Sequence, residues 1–307
     1  MTKCFDKALL GQQLIPNNQK GDILIMKKYL ALILVAVMLI SIFTACGSSS
    51  SEDASSGDSA ASESQYGEGF EFKHGYDKDF PPYSFIGDDG ETIGLDVELA
   101  KAVCEYYGWT YTGVPINWDS KEAELESGSI DCIWSGFTKN PAREPKFSWS
   151  EPYSLNTIKV MVLEDSDIAT MEDLAGKKVG VQTATSAQEL METPESEGGA
   201  LELAGTFAST DIYDTYTIAI NDLKAGAIDA IAIDETTGTY QMDKVEGLKF
   251  LDGVMCEEVY AIGFRTGDTE LRDMINAALE ALAADGTMDT IGKKYEQVYD
   301  KLIMINQ

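Results

Sequence analysis

The chain has 307 residues, is 44% hydrophobic and 24% charged, and carries a formal net charge of -29. That length can bury a large core, or two, and the acidic balance argues against nucleic acid because no basic patch is present to neutralise phosphates. The single histidine, His74, and the lack of any C-x-x-C pair argue against a zinc site, so no metal or cofactor is implied.

Residues 1–25 show no clear periodicity. From Met26 the chain reads MKKYLALILVAVMLISIFTACGSSS: a basic start, an apolar run from Leu30 to Ile40, small residues, then Cys46. The run is short for a membrane span. Residues 26–45 resemble a bacterial lipoprotein signal peptide, with Phe43-Thr44-Ala45-Cys46 as its lipobox and Phe43 where leucine is common. The resemblance implies that Cys46 becomes a lipid-bearing N-terminus, and it makes Met26 the expected start, with 1–25 and Cys4 as an upstream extension. Two or more acyl chains on one cysteine give stable attachment. Removing residues 1–45 leaves 18 basic and 50 acidic residues. The serine, acid and glycine of 46–69 cannot build a core and read as a flexible tether.

The folded body opens near Phe70. FEFKHGYD alternates as a strand ending at Asp77, and DFPPYSFIGDDGETIGL reads as a loop and short hairpin. Leu95 opens a helix whose Leu99, Val103 and Tyr106 share a face. Trp109 to Ile116 is strand-like. Asp119 and Glu122 have the spacing of a capping box opening a helix that Gly128 ends. Ile130 to Trp134 is the next strand, so the rhythm is βαβ and predicts a largely parallel sheet covered on both faces.

The pattern restarts after Tyr153. Thr157 to Leu163 is a strand, Thr170 to Asp173 a second cap, Lys178 to Gln182 a strand, and Thr185-Ser186 caps a helix. Glu192 to Ala200 is a solvated acidic loop. Ile218 to Lys224 is helical, Ala227 to Ile233 is a buried strand ending at Asp234, and Val259 to Gly263 is one more strand. Helices over about 268–284 and 287–298 close the chain. Leu125-x-x-Gly128-x-x-Asp131 before one strand echoes Leu223-x-x-Gly226-x-x-Asp229 before another. Cys104, Cys132 and Cys256 fit three buried thiols, or one disulfide plus one thiol.

One stretch stands out. GFTKNPAREPKFSWSEPY, Gly136 to Tyr153, sets Arg143, one of three arginines in the chain, among prolines, aromatics and hydroxyls. Such a composition makes a loop. A guanidinium fixed in a loop can grip a carboxylate through two parallel hydrogen bonds. A surface turn with a solvated arginine is the plain alternative.

Taken together, DKDFPPYSF with IGLDVELAKAV, LESGSIDCIWSGFT with PAREPKFSWSEPY, LAGKKVGVQTATSA, LKAGAIDAIAID and AADGTMDTIGKKY resemble the extracellular solute-binding proteins of polar amino-acid ABC importers. The resemblance covers roughly residues 70–300. It implies an α/β periplasmic-binding-protein-like fold, two lobes joined by two crossover strands with the ligand cleft between them. Lobe 1 would be 70–156 with 257–307 and lobe 2 would be 157–256, with the crossings near Tyr153–Lys159 and Cys256–Ile262. It implies binding without catalysis, a free amino acid as ligand, a permease with a cytoplasmic ATPase as partner, and a monomeric domain held by lipid at the outer face of the cell membrane.

The resemblance also assigns residues. Arg143 and Thr185 would take the ligand's α-carboxylate, the latter at a helix start that suits an anion. Many relatives have Gly-Thr where this chain has Ala184-Thr185. Asp234 would pair with the α-ammonium, helped by Thr138 and the backbone of Gly136, where many relatives have serine. Phe80 would stack on the ligand side chain. Trp118, Trp134 and Phe137 are candidate walls, or plain core. Asp77 either reads a distal polar group or forms a turn. The ligand side chain would be of glutamine, cystine, histidine or arginine type. A prephenate- or arogenate-type dehydratase and a ligand-sensing surface domain are the alternatives on the same fold.

Overall fold

A computed structural model describes residues 64–306. Residues 1–63, which include the expected signal peptide, Cys46 and nearly all of the expected tether, lie outside the described residues. In chain order the strands are β1 (Glu71–Tyr76), β2 (Asp79–Phe80), β3 (Ser84–Ile86), β4 (Thr92–Ile93), β5 (Thr110–Pro115), β6 (Cys132–Ile133), β7 (Thr138–Lys139), β8 (Ser148–Trp149), β9 (Ser154–Leu163), β10 (Lys178–Gln182), β11 (Ser209–Tyr213), β12 (Ala230–Asp234), β13 (Leu248–Phe250), β14 (Cys256–Tyr260) and β15 (Gly263–Phe264). The helices are α1 (Leu95–Tyr107), α2 (Lys121–Ser127), α3 (Ser186–Glu192), α4 (Leu201–Ala204), α5 (Tyr216–Lys224), α6 (Glu235–Met242), α7 (Thr269–Ala284), α8 (Thr287–Gly292) and α9 (Glu296–Tyr299).

Two main sheets result. The first has the order β5-β1-β6-β15-β8, with β1 parallel to β5 and β6. The second runs β11-β10-β12-β9-β14-β7, with β10 parallel to both β11 and β12. After a short visit at β7, which pairs with β14, the chain passes from the first sheet to the second between β8 and β9 and returns between β14 and β15. Along those passages β9 and β14 lie side by side, antiparallel, in a register that sets Cys256 against Ile158 and Tyr260 against Ser154.

The internal echo is an identity of mechanism. Gly128 and Gly226 both take left-handed backbone, at φ 78° and 71°, as a helix C-terminus requires. Asp131 Oδ2 then accepts from the N–H of Lys73 at 2.9 Å, and Asp229 Oδ2 from the N–H of Lys178 at 2.8 Å. Each aspartate pins the start of a neighbouring parallel strand, so the same seven-residue signal starts a strand in each sheet.

Other expectations are corrected. Tyr106 is exposed, and the buried face of α1 is Leu95, Leu99, Ala100, Val103 and Cys104. No capping box forms at Asp119; a 3-10 turn, Trp118–Ser120, precedes α2 without a side-chain cap. Thr170 does not cap either: its N–H and hydroxyl both donate to Asp173, opening only a 3-10 turn. The strand over 130–134 shortens to β6, and the last helix breaks into α8 and α9. Among the elements without a clear signal are α4, β11, α6 and β13, and the short β7 and β8 fall in the stretch read as a loop. α6 carries almost no apolar periodicity because Thr236, Thr237 and Gly238 form its buried face. Cys104, Cys132 and Cys256 are buried thiols.

The turn before α1 positions the site. Gly94 has φ 133°, and a Cβ there would stand 2.2 Å from the carbonyl oxygen of Tyr83. This close approach drives Asp96, fully buried, toward the loop after β6. Its Oδ2 accepts from the N–H of Gly136 at 2.8 Å and from the hydroxyl of Tyr153 at 2.7 Å. Burial pushes its carboxyl up to about 7 despite those donors. Burial works the other way on His74, lowering it to about 4.

Gly94→Ala should therefore cost roughly 2 to 4 kcal/mol in chemical denaturation, since backbone rather than a flexible side chain must move. The raised Asp96 carboxyl contributes stability below the ordinary carboxylate range that is lost as pH rises through about 7. Asp96→Asn keeps an acceptor toward Gly136 and Tyr153 and removes that titration. Its melting temperature should fall less than the parent's between pH 5 and pH 8; equal slopes would refute the assignment.

Candidate ligand-binding cleft

Arg143 is buried, which rejects the solvated turn. The loop is fixed by Asn140, whose Oδ1 accepts from the N–H of Arg143 at 2.9 Å. The guanidinium reaches Glu189 Oε2 through Nε at 3.0 Å, the carbonyl of Ala184 at 3.3 Å and that of Thr138 at 3.4 Å. Its carbon stands 5.2 Å from the centre of the Phe137 ring. Glu189 and Ala184 belong to the second-sheet side, so Arg143 spans from one side of the cleft to the other.

Thr185 is the N-cap of α3. Its hydroxyl donates to the carbonyl of Gln182 at 2.7 Å and accepts from the N–H of Gln188 at 3.3 Å. Ala184 adopts the left-handed conformation, φ 54°, that glycine would take without strain, and its N–H donates to Gln188 Oε1 at 2.7 Å. The Gly-Thr geometry is thus kept with alanine in place, at a cost of about 1 kcal/mol. Its carbonyl collects two cations, Arg143 and the buried Lys121 at 3.0 Å. Burial first, and then Arg143, lower the Lys121 ammonium to about 7.

Asp234 ends β12 and begins α6. Its Oδ1 accepts from Asn156 Nδ2 at 2.7 Å and from the Tyr260 hydroxyl, and its Oδ2 from the Tyr216 hydroxyl at 3.1 Å. Burial raises its carboxyl nonetheless. On the opposite wall Gly136 has φ 55°, and a Cβ there would lie 2.5 Å from the Phe80 ring. Glycine at 136 is what lets Phe80 close over the turn. The Gly136 N–H is spent on Asp96.

One cavity gathers most of these residues: Phe80, Trp118, Gly136, Thr138, Arg143, Thr185, Ser186 and Asp234 line about 10 Å³ open to water. That is room for roughly one water molecule, so a larger guest needs the walls to part. Asp77 lines a second cavity, about 180 Å³, with Asp79, Asp119 and Asp214, and Trp118 borders both. Asp77 Oδ2 accepts from Gln182 Nε2 at 2.7 Å, a bond across the cleft.

Two candidate walls line neither of these cavities. Trp134 is fully buried in the first core between His74 and Tyr153, with ring centres 5.7 and 6.2 Å away. Phe137 packs with Trp118, Phe147 and Trp149 and supports the Arg143 guanidinium from below. Sequence reading missed Ser186, Asn156, Glu258, Tyr216, Tyr260, Gln182 and Lys121. A faint signal existed on β9, where Leu155 is exposed and its neighbours Ser154 and Asn156 are buried, an inversion of the usual polarity.

Comparison with known proteins agrees with this geometry. The L-cystine-binding protein TcyJ of Escherichia coli is 29% identical over 224 residues, 72% of this chain and 80% of its own length. The arginine-binding extracellular protein ArtP of Bacillus subtilis is 29% identical over 273 residues, covering 88% of this chain and 98% of ArtP. Among solved structures, an ABC uptake transporter substrate-binding protein from Streptococcus pneumoniae with bound histidine superposes with a TM-score of 0.69 at 33% identity, over 73% of this chain and 92% of that one. These relatives are binding proteins and not enzymes, and the fold is the two-lobed α/β fold of periplasmic amino-acid-binding proteins. The family described as bacterial extracellular solute-binding proteins, family 3, matches residues 72–298, and the chain belongs to it.

Proposed function

We propose that this protein is the substrate-binding component of an ABC importer, capturing one polar amino acid outside the cell and presenting it to a membrane permease served by a cytoplasmic ATPase. The observation that carries this reading is the single cavity lined by both a buried guanidinium, Arg143, and a buried carboxylate, Asp234. A zwitterion matches that polarity. Arg143 and Thr185 take the carboxylate, while Asp234 and Thr138 take the ammonium. The backbone of Gly136 adds to the ammonium contacts and its missing side chain contributes shape, while Phe80 and Trp118 flank the ligand side chain. Asp77, beyond Trp118, reads a distal polar group.

The lobes on this reading are 70–156 with 257–307, and 157–256. Arg143 and Thr138 belong to one, Thr185 and Asp234 to the other. A ligand held at both ends therefore favours closure through contacts made to both lobes at once. Cystine, arginine and histidine are named for the relatives, and each is consistent with this cleft. Lipid on Cys46 and the tether 46–69 would hold the domain at the outer face of the membrane as a monomer within reach of the permease.

A thermal-shift screen against the twenty amino acids, cystine and ornithine, followed by calorimetry, tests the reading; no binding by any of them would sink it. Arg143→Ala should weaken the amino acid found by at least about 2 kcal/mol, because its carboxylate loses a charged, desolvated partner. Unchanged affinity would remove Arg143 from the site. Asp234→Asn should weaken the same ligand by a similar amount while keeping the bonds to Tyr260 and Tyr216.

A further inference from the structure

Three side chains converge on one atom that no sequence signal marked. Glu258 Oε1, on β14, lies 2.9 Å from Thr138 Oγ1, 3.1 Å from Ser186 Oγ and 2.8 Å from Asn156 Nδ2. The two hydroxyl oxygens are also 3.1 Å apart, closing a triangle of oxygens. Two hydroxyls bring only two protons to its three edges. If Glu258 is ionised, both protons turn to it and the lone pairs of Thr138 and Ser186 are left facing the cavity those residues line. If Glu258 is protonated, an extra proton must sit on Oε1, displacing a donor, or on Oε2, which is buried without a partner.

We propose that Glu258 is a positioning residue: its ionised carboxylate turns the Thr138 and Ser186 hydroxyls into an acceptor pair for the ligand's ammonium, so that binding expels a proton. This rests on the ammonium reading of Asp234 and Thr138 given above. Glu258 belongs to one of the two strands that pass between the sheets, so its state bears on both walls.

The surroundings hold Glu258 at the balance point. Burial, and then the neighbouring Asp234 carboxylate, lift it to about 7. The titratable groups facing it are Asp234 from β12, Tyr216 from α5 and Tyr260 from its own strand; β7, β9 and α3 present the neutral donors Thr138, Asn156 and Ser186. Arg143 lines the same cavity. A cation entering beside Thr138 adds the one favourable charge missing here and drives the proton off.

Calorimetry of the parent protein with L-arginine, L-glutamine, L-cystine and L-histidine, in buffers of different ionisation enthalpy at pH 6, 7 and 8, counts the protons exchanged. Net release of up to one proton is expected near pH 6 to 7, with affinity about tenfold weaker at pH 6 than at pH 8. Glu258→Gln, which keeps Oε1 as acceptor, should abolish both the release and the pH dependence. Binding with no exchange, with uptake, or with release that survives in Glu258→Gln would overturn the role given to Glu258 and leave the ammonium reading standing. Failure of all four amino acids to bind would overturn both. The parent measurement alone decides the sign should the variant not fold.

Discussion

One amide nitrogen stands between two buried carboxylates. Asn156 Nδ2 donates to Asp234 Oδ1 at 2.7 Å and to Glu258 Oε1 at 2.8 Å. Two carboxylates sharing a donor inside a protein repel one another, and the low dielectric there magnifies the repulsion. Every neighbour with a proton is aimed at them: Tyr216, Tyr260, Thr138 and Ser186 as well as Asn156. The arrangement is tolerable because those donors are fixed by strands and helix ends and not by loops. It also explains why β9 and β14 break polarity, with exposed Leu155 beside buried Asn156, and buried Glu258 beside exposed Glu257.

The cationic residue of the same cavity shows the complementary constraint. Arg143 is satisfied by protein, with Glu189 and the Ala184 carbonyl as partners. On the function proposed above, occupying it with a ligand carboxylate would be an exchange of partners, whose net worth is the difference between two sets of charge-assisted bonds. The bonds from Gln182 to Asp77 and from Lys121 to Ala184 cross the same cleft, so protein–protein contacts join its two sides.

Motif-bearing parts of this organisation were readable through the family resemblance that their residues carry. Arg143, Thr185, Asp234, Thr138, Gly136, Phe80 and Trp118 converge on one cavity, and each sits at a strand end, a helix start or a turn, where local signals are strong. The paired Gly-Asp signals at 128–131 and 226–229 announced their strands for the same reason. Trp134 and Phe137 were ambiguous, since an aromatic in an apolar strand looks alike whether it faces ligand or core. Asn156 and Glu258 were invisible as site residues: their partners are dozens of residues away, and a polar side chain on a strand ordinarily reads as solvent-facing. α6 escaped because its buried face is threonine and glycine.

Glycine and alanine show how close the backbone runs to its limits around the cleft. Gly136 leaves a gap that the Phe80 ring fills, so the absent side chain shapes the wall as firmly as a present one would. Ala184 accepts a left-handed conformation at a cost that the Thr185 cap and the two cations on its carbonyl offset. Strain of this kind persists only where surrounding bonds over-determine it. Here they do: Gln188 holds the Ala184 N–H, and Lys121 and Arg143 hold its carbonyl. The turn that presents Thr185 is thus set by contacts from both sides of the cleft, and opening the cleft must loosen the turn along with the grip.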